Sequence, residues 1–384
     1  MTTSGSTAGG GLEGVVAGQT AVCTLAGRML YRGYAIEDLA AQATFEEVAY
    51  LLLHGELPKQ AELAEFRKRL GEAMELPGAI VATLRSIPRG TPMMDVMRTG
   101  ASMLAHFDAD VNDNGHDANV RKAERLVAKL PLVMAAKHRI DSGREPAPAD
   151  PKLSIAANIL KLITDQSPED WAIHAMNTSL ILYAEHEFNA STFVARCVAS
   201  TLADLHSAIV AAIGALKGPL HGGANERVLE VLQQVGDPTK AESWIRNALA
   251  NKVRIMGFGH RVYKKGDPRT AFLTPLCQKL AEKTGHEAME TTAATIERII
   301  VAEKRLPANV DWPSARLYHY LGLPVELYTP LFVVARVTGW SAHVIEQLEN
   351  NRIIRPAAEY VGPSLRNYIS LGERGGMRMT TGRA

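Results

Sequence analysis

Four short segments of the chain are too polar and too rich in glycine to be ordinary helix interior. They run Tyr183-Ala-Glu-His186-Glu-Phe-Asn189-Ala-Ser-Thr, Lys217-Gly-Pro-Leu-His221-Gly-Gly-Ala-Asn225-Glu, Arg254-Ile-Met-Gly257-Phe-Gly-His260 on to Asp267-Pro-Arg269, and Asn309-Val-Asp311-Trp-Pro-Ser. Each puts a His or an Asp where a helix begins or ends, the place where backbone donors and acceptors lack intrahelical partners. Imidazoles and carboxylates are the groups that carry protons in general acid–base chemistry. Singly, each has a structural explanation. His221 can cap a helix, the glycines beside His260 can make a turn, and Asp311 before Trp312-Pro313 can be an N-cap with proline early in the helix. Together they point to one site.

Competing motifs are weaker. Asp110-Val-Asn112-Asp-Asn114-Gly115 opens like a calcium loop, but Arg121 stands at the twelfth position, where a bidentate Glu is needed. Gly257-Phe-Gly259 lacks the third glycine of a dinucleotide fingerprint, Val262 occupying that position. None of the twelve histidines falls in HExxH or HxH spacing and no cysteine pair supports them, so no metal is expected. A hydrolase using Asp311 with a His as base would lack a GxSxG-type nucleophile turn.

The elements that must position these segments read as helices. Thr44-Phe-Glu-Glu47 has the capping-box pattern; Phe45, Val48, Ala49, Leu51 and Leu52 follow at helical spacing until Gly55 and Pro58. Further helices are predicted over 61–74, 81–87, 94–107, 123–139, 153–163, 171–184, 191–216 and 225–235. Residues around Gly33 suggest a short strand or turn. The stretches 108–119 and 141–151 read as surface loops. Strand-like alternation is almost absent after residue 40, so the fold class is mainly α; no repeat of about 20–50 residues is visible, which disfavours a helical solenoid.

The 384 residues allow two or three domains or one large one at about 150 residues each. With 42 Lys+Arg against 41 Asp+Glu, the net charge of +1 removes the electrostatic footprint of a nucleic-acid-coating protein. A hydrophobic share of 46% fits a globular chain, and no apolar run approaches the roughly 18 residues of a membrane span. The glycine-rich first ten residues lack the charge and apolar core of a secretory signal, and are expected to be disordered or to pack at a subunit surface. Cys23, Cys197 and Cys277 are odd in number and far apart, which fits free thiols in a reducing cytoplasm.

The four segments resemble those of the citrate synthase family and fall in the family's order. The likeness extends to Leu12-Glu-Gly-Val-Val-Ala-Gly, Tyr31-Arg-Gly-Tyr, Phe45-Glu-Glu-Val-Ala-Tyr, Pro92-Met-Met-Asp, Tyr328-Thr-Pro-Leu-Phe-Val-Val-Ala-Arg336 and Asn351-Arg-Ile-Ile-Arg355-Pro, roughly residues 12–363. The resemblance implies an acyltransferase that condenses an acyl-CoA with oxaloacetate and hydrolyses the thioester, with CoA as substrate and no cofactor. It implies Asp311 as the base, His221 as hydrogen-bond donor to the thioester oxygen and His260 as donor to the oxaloacetate carbonyl. It further implies His186, Arg269, Arg336 and Arg355 as oxaloacetate ligands, and Val253, Arg254, Ile255, Met256 and Gly257 as the CoA-contacting stretch. Lys264 and Lys265 are candidate phosphate contacts by charge and nearness in sequence.

By the same resemblance the architecture is a large helical domain (1–224 and 323–384) interrupted by a smaller closing domain (225–322). The protein would be a homodimer in which Arg355 reaches the partner's site. Nucleic acid and membrane are not expected partners. The acyl chain stays open. Asp311-Trp312 and Trp340-Ser-Ala-His-Val-Ile-Glu-Gln resemble 2-methylcitrate synthases, whereas Gly259-His260-Arg261-Val-Tyr-Lys resembles citrate synthases; the reading taken is citrate from acetyl-CoA. One methylene is worth only about 1–3 kcal/mol of discrimination, so propionyl-CoA is the alternative. A catalytically silent relative is disfavoured because it has no chemical need for this set of residues.

Overall fold

The structure, a computed structural model, describes residues 14–374; the glycine-rich first ten residues and Leu12 lie outside them. Among the described residues are sixteen α-helices and one small antiparallel sheet, β1 (Cys23–Thr24), β2 (Leu30–Tyr31) and β3 (Tyr34–Ala35), paired in that order. Gly33 takes a positive φ of 89° at the β2–β3 turn. The mainly helical expectation holds, and no helix among the described residues is long and apolar enough to cross a membrane.

Local signals set many of the boundaries. Helix α2 (Phe45–His54) begins at the Thr44 capping box, where Glu47 Oε2 accepts the Thr44 amide at 2.8 Å, and stops at Gly55 with φ 91°. Helix α6 (His116–Asp141) is longer than its periodicity suggests and takes in the last residues of the polar 108–119 stretch. In that stretch Arg121 donates to Asp110 at 2.7 Å and Arg125 to the same carboxylate at 2.6 Å, so the leading carboxylate of the calcium-like run is held by guanidinium groups. The predicted helix over 191–216 is two, α9 (Ala190–Ala199) and α10 (Leu205–Leu216). Leu202 turns left-handed at φ 66°, and Asp204 caps α10 by accepting the Ser207 amide at 3.0 Å.

Three elements carry the site. Helix α16 (Tyr328–Glu349) is buried on nearly every face and runs along α6, α9 and α10, so its polar residues point into the interior. Helix α11 (Ala224–Val235) starts after Gly222 and Gly223; a Cβ on Gly222 would collide with the Leu216 carbonyl, and Gly223 has φ 77°. The loop through Gly257–His260 is stitched to the segment leading into α15 (Asp311–Tyr320). Gly259 donates to the Pro307 carbonyl at 2.8 Å, the Asn309 amide to Gly257 at 2.9 Å, and the Asn309 side chain to Gly259 at 2.9 Å.

The described residues through Ile353 form one compact unit, and those from Ile354 form a second. The described part of the second has no regular secondary structure apart from a short 3-10 turn at Leu371–Glu373.

Candidate active site

A cavity of about 580 Å³ is lined by His186, His221, His260, Arg269, Asp311 and Arg336. Six of the seven residues expected to bind oxaloacetate or to do chemistry thus meet around one space. The seventh, Arg355, belongs to the second unit and is exposed. Val253 and Arg254 are exposed, Ile255 and Met256 half-buried and Gly257 buried; none of the five lines this cavity. Gly257 has φ 89°, and a Cβ there would sit 2.8 Å from Val228 and 3.0 Å from Trp312, so the loop needs glycine. Lys264 and Lys265 are exposed and also outside the cavity lining.

His221 sits in the turn between α10 and α11. Its Nε2 accepts the backbone amide of Ser191 at 3.2 Å and lies 2.8 Å from the Ser191 hydroxyl. An amide can only donate, so Nε2 carries the lone pair and the ring proton is on Nδ1. Burial, with Arg336 adding to it, pushes the pKa down to about 4, so His221 is neutral at physiological pH. It is a neutral N–H donor.

His260 has the opposite tautomer. Its Nδ1 accepts the amides of Val262 at 3.0 Å and Tyr263 at 3.2 Å, which leaves the proton on Nε2. Burial and then Arg269 lower its pKa to about 4. The Tyr263 ring stacks on it at 4.6 Å, and the His186 ring meets it edge-on at 5.3 Å. His186 is itself held neutral, first by burial and then by Arg269 and Arg336, and its Nε2 has no protein partner among the described residues.

Asp311 is not the N-cap that its place before Pro313 suggests. It is the first helical residue of α15, and the side chain of Asn309 accepts its amide at 3.0 Å. The carboxylate is therefore not spent on capping. Burial raises its pKa, opposed by Arg269 and by a hydrogen bond from Tyr183, so the group is a stronger base than an exposed carboxylate.

The two cavity arginines are buried and braced. Arg269 gives Nε and Nη2 to Asp267 at 2.9 and 2.7 Å, and Asp267 also accepts the Val310 amide at 3.0 Å. Arg336 gives Nε to the Tyr183 carbonyl at 2.7 Å and lies over the Phe332 ring at 4.6 Å. Both remain able to present further N–H groups to an anion. Behind Arg336, Glu185 is fully buried and accepts from His343 at 2.9 Å.

Ser191, Tyr183, Asp267 and Glu185 were not singled out by sequence reasoning, although all lie in the polar segments. Only Asp267 carried a usable signal, an acid two residues from an Arg.

A mainly helical fold with three neutral imidazoles, a carboxyl of raised pKa and two buried arginines around one cavity fits an acyltransferase of the citrate/methylcitrate synthase type, the class to which the relatives below belong. The chain belongs to the citrate synthase family: the family described as "Citrate synthase, C-terminal domain" matches residues 11–357. It is 45% identical to "Citrate synthase 2" of Bacillus subtilis, over 96% of this chain and all of that one. It is 44% identical to the 2-methylcitrate synthase of Shewanella oneidensis, over 95% and 98%. Among solved structures it resembles citrate synthase from Thermoplasma acidophilum in ternary complex with carboxymethyl coenzyme A and oxaloacetate. That likeness has a TM-score of 0.89 and 34% identity, covering 95% of this chain and 98% of the other.

Proposed function

We propose that the protein is a citrate synthase, condensing acetyl-CoA with oxaloacetate and hydrolysing citryl-CoA to citrate and CoA. The observation that carries this is the convergence of two oppositely tautomeric, neutral imidazoles with Asp311 on a cavity holding two buried guanidinium groups.

The chemistry follows from those states. The proton beside a thioester is weakly acidic, so its removal needs a base and a donor to the developing enolate oxygen. Asp311 takes the proton while His221 Nδ1–H holds the oxygen; a neutral imidazole suits this, its acidity being closer to that of an enol. The enolate carbon attacks the keto carbon of oxaloacetate as His260 Nε2–H polarises and then protonates the carbonyl oxygen. Arg269, Arg336 and His186 hold the oxaloacetate carboxylates, where forked guanidinium groups bind better than ammonium. Water then cleaves the citryl thioester.

Residues 225–322 are the closing domain in this reading, carrying His260, Arg269 and Asp311, while His186, His221 and Arg336 stay on the larger body. Closure over oxaloacetate keeps water from acyl-CoA until condensation. Val253 to Gly257 contact CoA on this reading, and Lys264 and Lys265 its phosphates. The compartment is the cytoplasm, a reading supported by three unpaired cysteines.

Relatives at 45% and 44% identity carry the two names, so 2-methylcitrate synthesis from propionyl-CoA is the second reading. The test is thiol release measured side by side with both acyl-CoAs. Release is expected only when oxaloacetate is present, with the higher kcat/KM for acetyl-CoA. A preference for propionyl-CoA would select the second reading, and release without oxaloacetate would make the protein a simple thioesterase.

The protein is further proposed to be a homodimer with Arg355 completing the partner's site. Inactive Arg355→Ala mixed with inactive Asp311→Ala should then regain activity through hybrid dimers. No rescue after demonstrated subunit exchange would place Arg355 outside a shared site.

A further inference from the structure

We infer that Tyr183 is the positioning residue of the base: its hydroxyl anchors Asp311 through Oδ1 and leaves Oδ2 as the oxygen that receives the substrate proton. This rests on the reading of Asp311 as the base. Tyr183 is the last residue of helix α8 (Asp170–Tyr183) and is 1% exposed. Its hydroxyl donates to Asp311 Oδ1 at 3.1 Å and lies 2.8 Å from Ser314 Oγ. A carboxylate only accepts, so the single tyrosine proton goes to Asp311 and Ser314 donates to the tyrosine oxygen. Ser314 is one turn along α15 from Asp311, so the chain Ser314–Tyr183–Asp311 closes on one helix end. Such a chain strengthens its last bond by polarisation. No hydrogen bond from the described residues reaches Asp311 Oδ2, and the residue is half-buried on the lining of the cavity.

The same residue braces the anion site. The Tyr183 carbonyl accepts Arg336 Nε, and its ring packs edge-on against Phe332 at 4.8 Å. One residue therefore joins α8, the base at the start of α15 and the guanidinium on α16.

A hydrogen bond to the ionised carboxylate favours that form, against the burial that opposes it. The other charged groups facing Asp311 are Arg269, which also favours ionisation, and Asp267, which disfavours it; Ser314 on its own helix acts through Tyr183. Burial holds the Tyr183 hydroxyl well above its ordinary pKa, so it stays a donor across the working pH range.

The test is the pH profile of kcat/KM for the preferred acyl-CoA at saturating oxaloacetate, in Tyr183→Phe and Ser314→Ala. Losing the hydroxyl raises the pKa of the base, so the acid limb should move to higher pH by about one unit in Tyr183→Phe and by less in Ser314→Ala. Activity should largely recover on the alkaline side. The Phe ring keeps the packing and the backbone carbonyl keeps Arg336; if Tyr183→Phe still fails to fold, Ser314→Ala carries the test. An NMR titration of the labelled Asp311 carboxyl in the same variants reads the shift without turnover. A uniform loss of rate with an unmoved limb and an unmoved carboxyl titration would overturn the inference. Wild-type protein inactive with both acyl-CoAs would overturn the proposed function instead, leaving the carboxyl titration to decide on Tyr183.

Discussion

Replacing Asp311 with Asn should lower kcat by about three orders of magnitude, within the range associated with losing a general base. Oxaloacetate affinity should stay within a few-fold of the natural protein. Asn has the size and the carbonyl acceptor of Asp, so the Tyr183 hydroxyl at 3.1 Å keeps a partner. The amide cannot take a proton from carbon. It also removes a half-buried carboxyl whose ionisation the surroundings resist, so thermal stability should hold or rise. The anion-binding groups Arg269 and Arg336 are untouched, which is why binding and turnover should separate. Stopped thiol release with intact oxaloacetate binding by calorimetry is the expected pair of results. Near-normal turnover would remove Asp311 from the mechanism.

The second large effect is on the fold around the anion site. Asp267→Ala should cost about 3–5 kcal/mol of stability, the usual result of stripping one partner from a buried ion pair. Asp267 is 3% exposed and accepts from Nε, Nη2 and the backbone amide of Arg269 and from the Val310 amide, so four donors lose their acceptor at once. The oxaloacetate KM should rise too, because Arg269 would no longer be held in one orientation. Urea unfolding of both proteins measures the difference; a loss below about 1 kcal/mol would mean that water replaces the carboxylate at no cost. The pH dependence has a defined sign. Burial pushes the Asp267 carboxyl up, but the Arg269 guanidinium and its hydrogen bonds outweigh burial and hold the pKa below its usual value. The stabilisation is therefore complete above the unfolded pKa of about 3.9 and is lost as pH falls through the lower folded value. The gap between the two proteins should narrow only in that acid window.

The sequence was legible where a local rule decides the outcome. The Thr44–Glu47 box and Gly55 mark both ends of α2, and the glycines after His221 mark the turn into α11; those around His260 mark a turn in mid-loop, not the helix end expected there. It was less legible where a competing local choice wins over periodicity, as at 200–204, where a left-handed Leu202 and the Asp204 cap split an apolar run. It was not legible where contacts join distant residues. Tyr183 meets Asp311 across 128 positions and Ser191 meets His221 across 30, and no spacing rule links such pairs. The tautomers of His221 and His260 depend on which backbone amides reach them, which only coordinates reveal.

The stitching of the 257–260 loop to the 307–309 segment has a kinetic consequence. It mounts His260 and Asp311 on one strip of backbone, so the proposed closing swing of residues 225–322 would carry the two together. His221 stands outside that strip. In the proposed closure the swing would therefore set the distance from Asp311 to His221, the pair that acts in enolisation, together with that from His260 and Arg269 to His186 and Arg336. On the proposed mechanism an open site would then lack the pairing of Asp311 with His221, and carbanion formation would be curbed before any reactive species exists to be wasted.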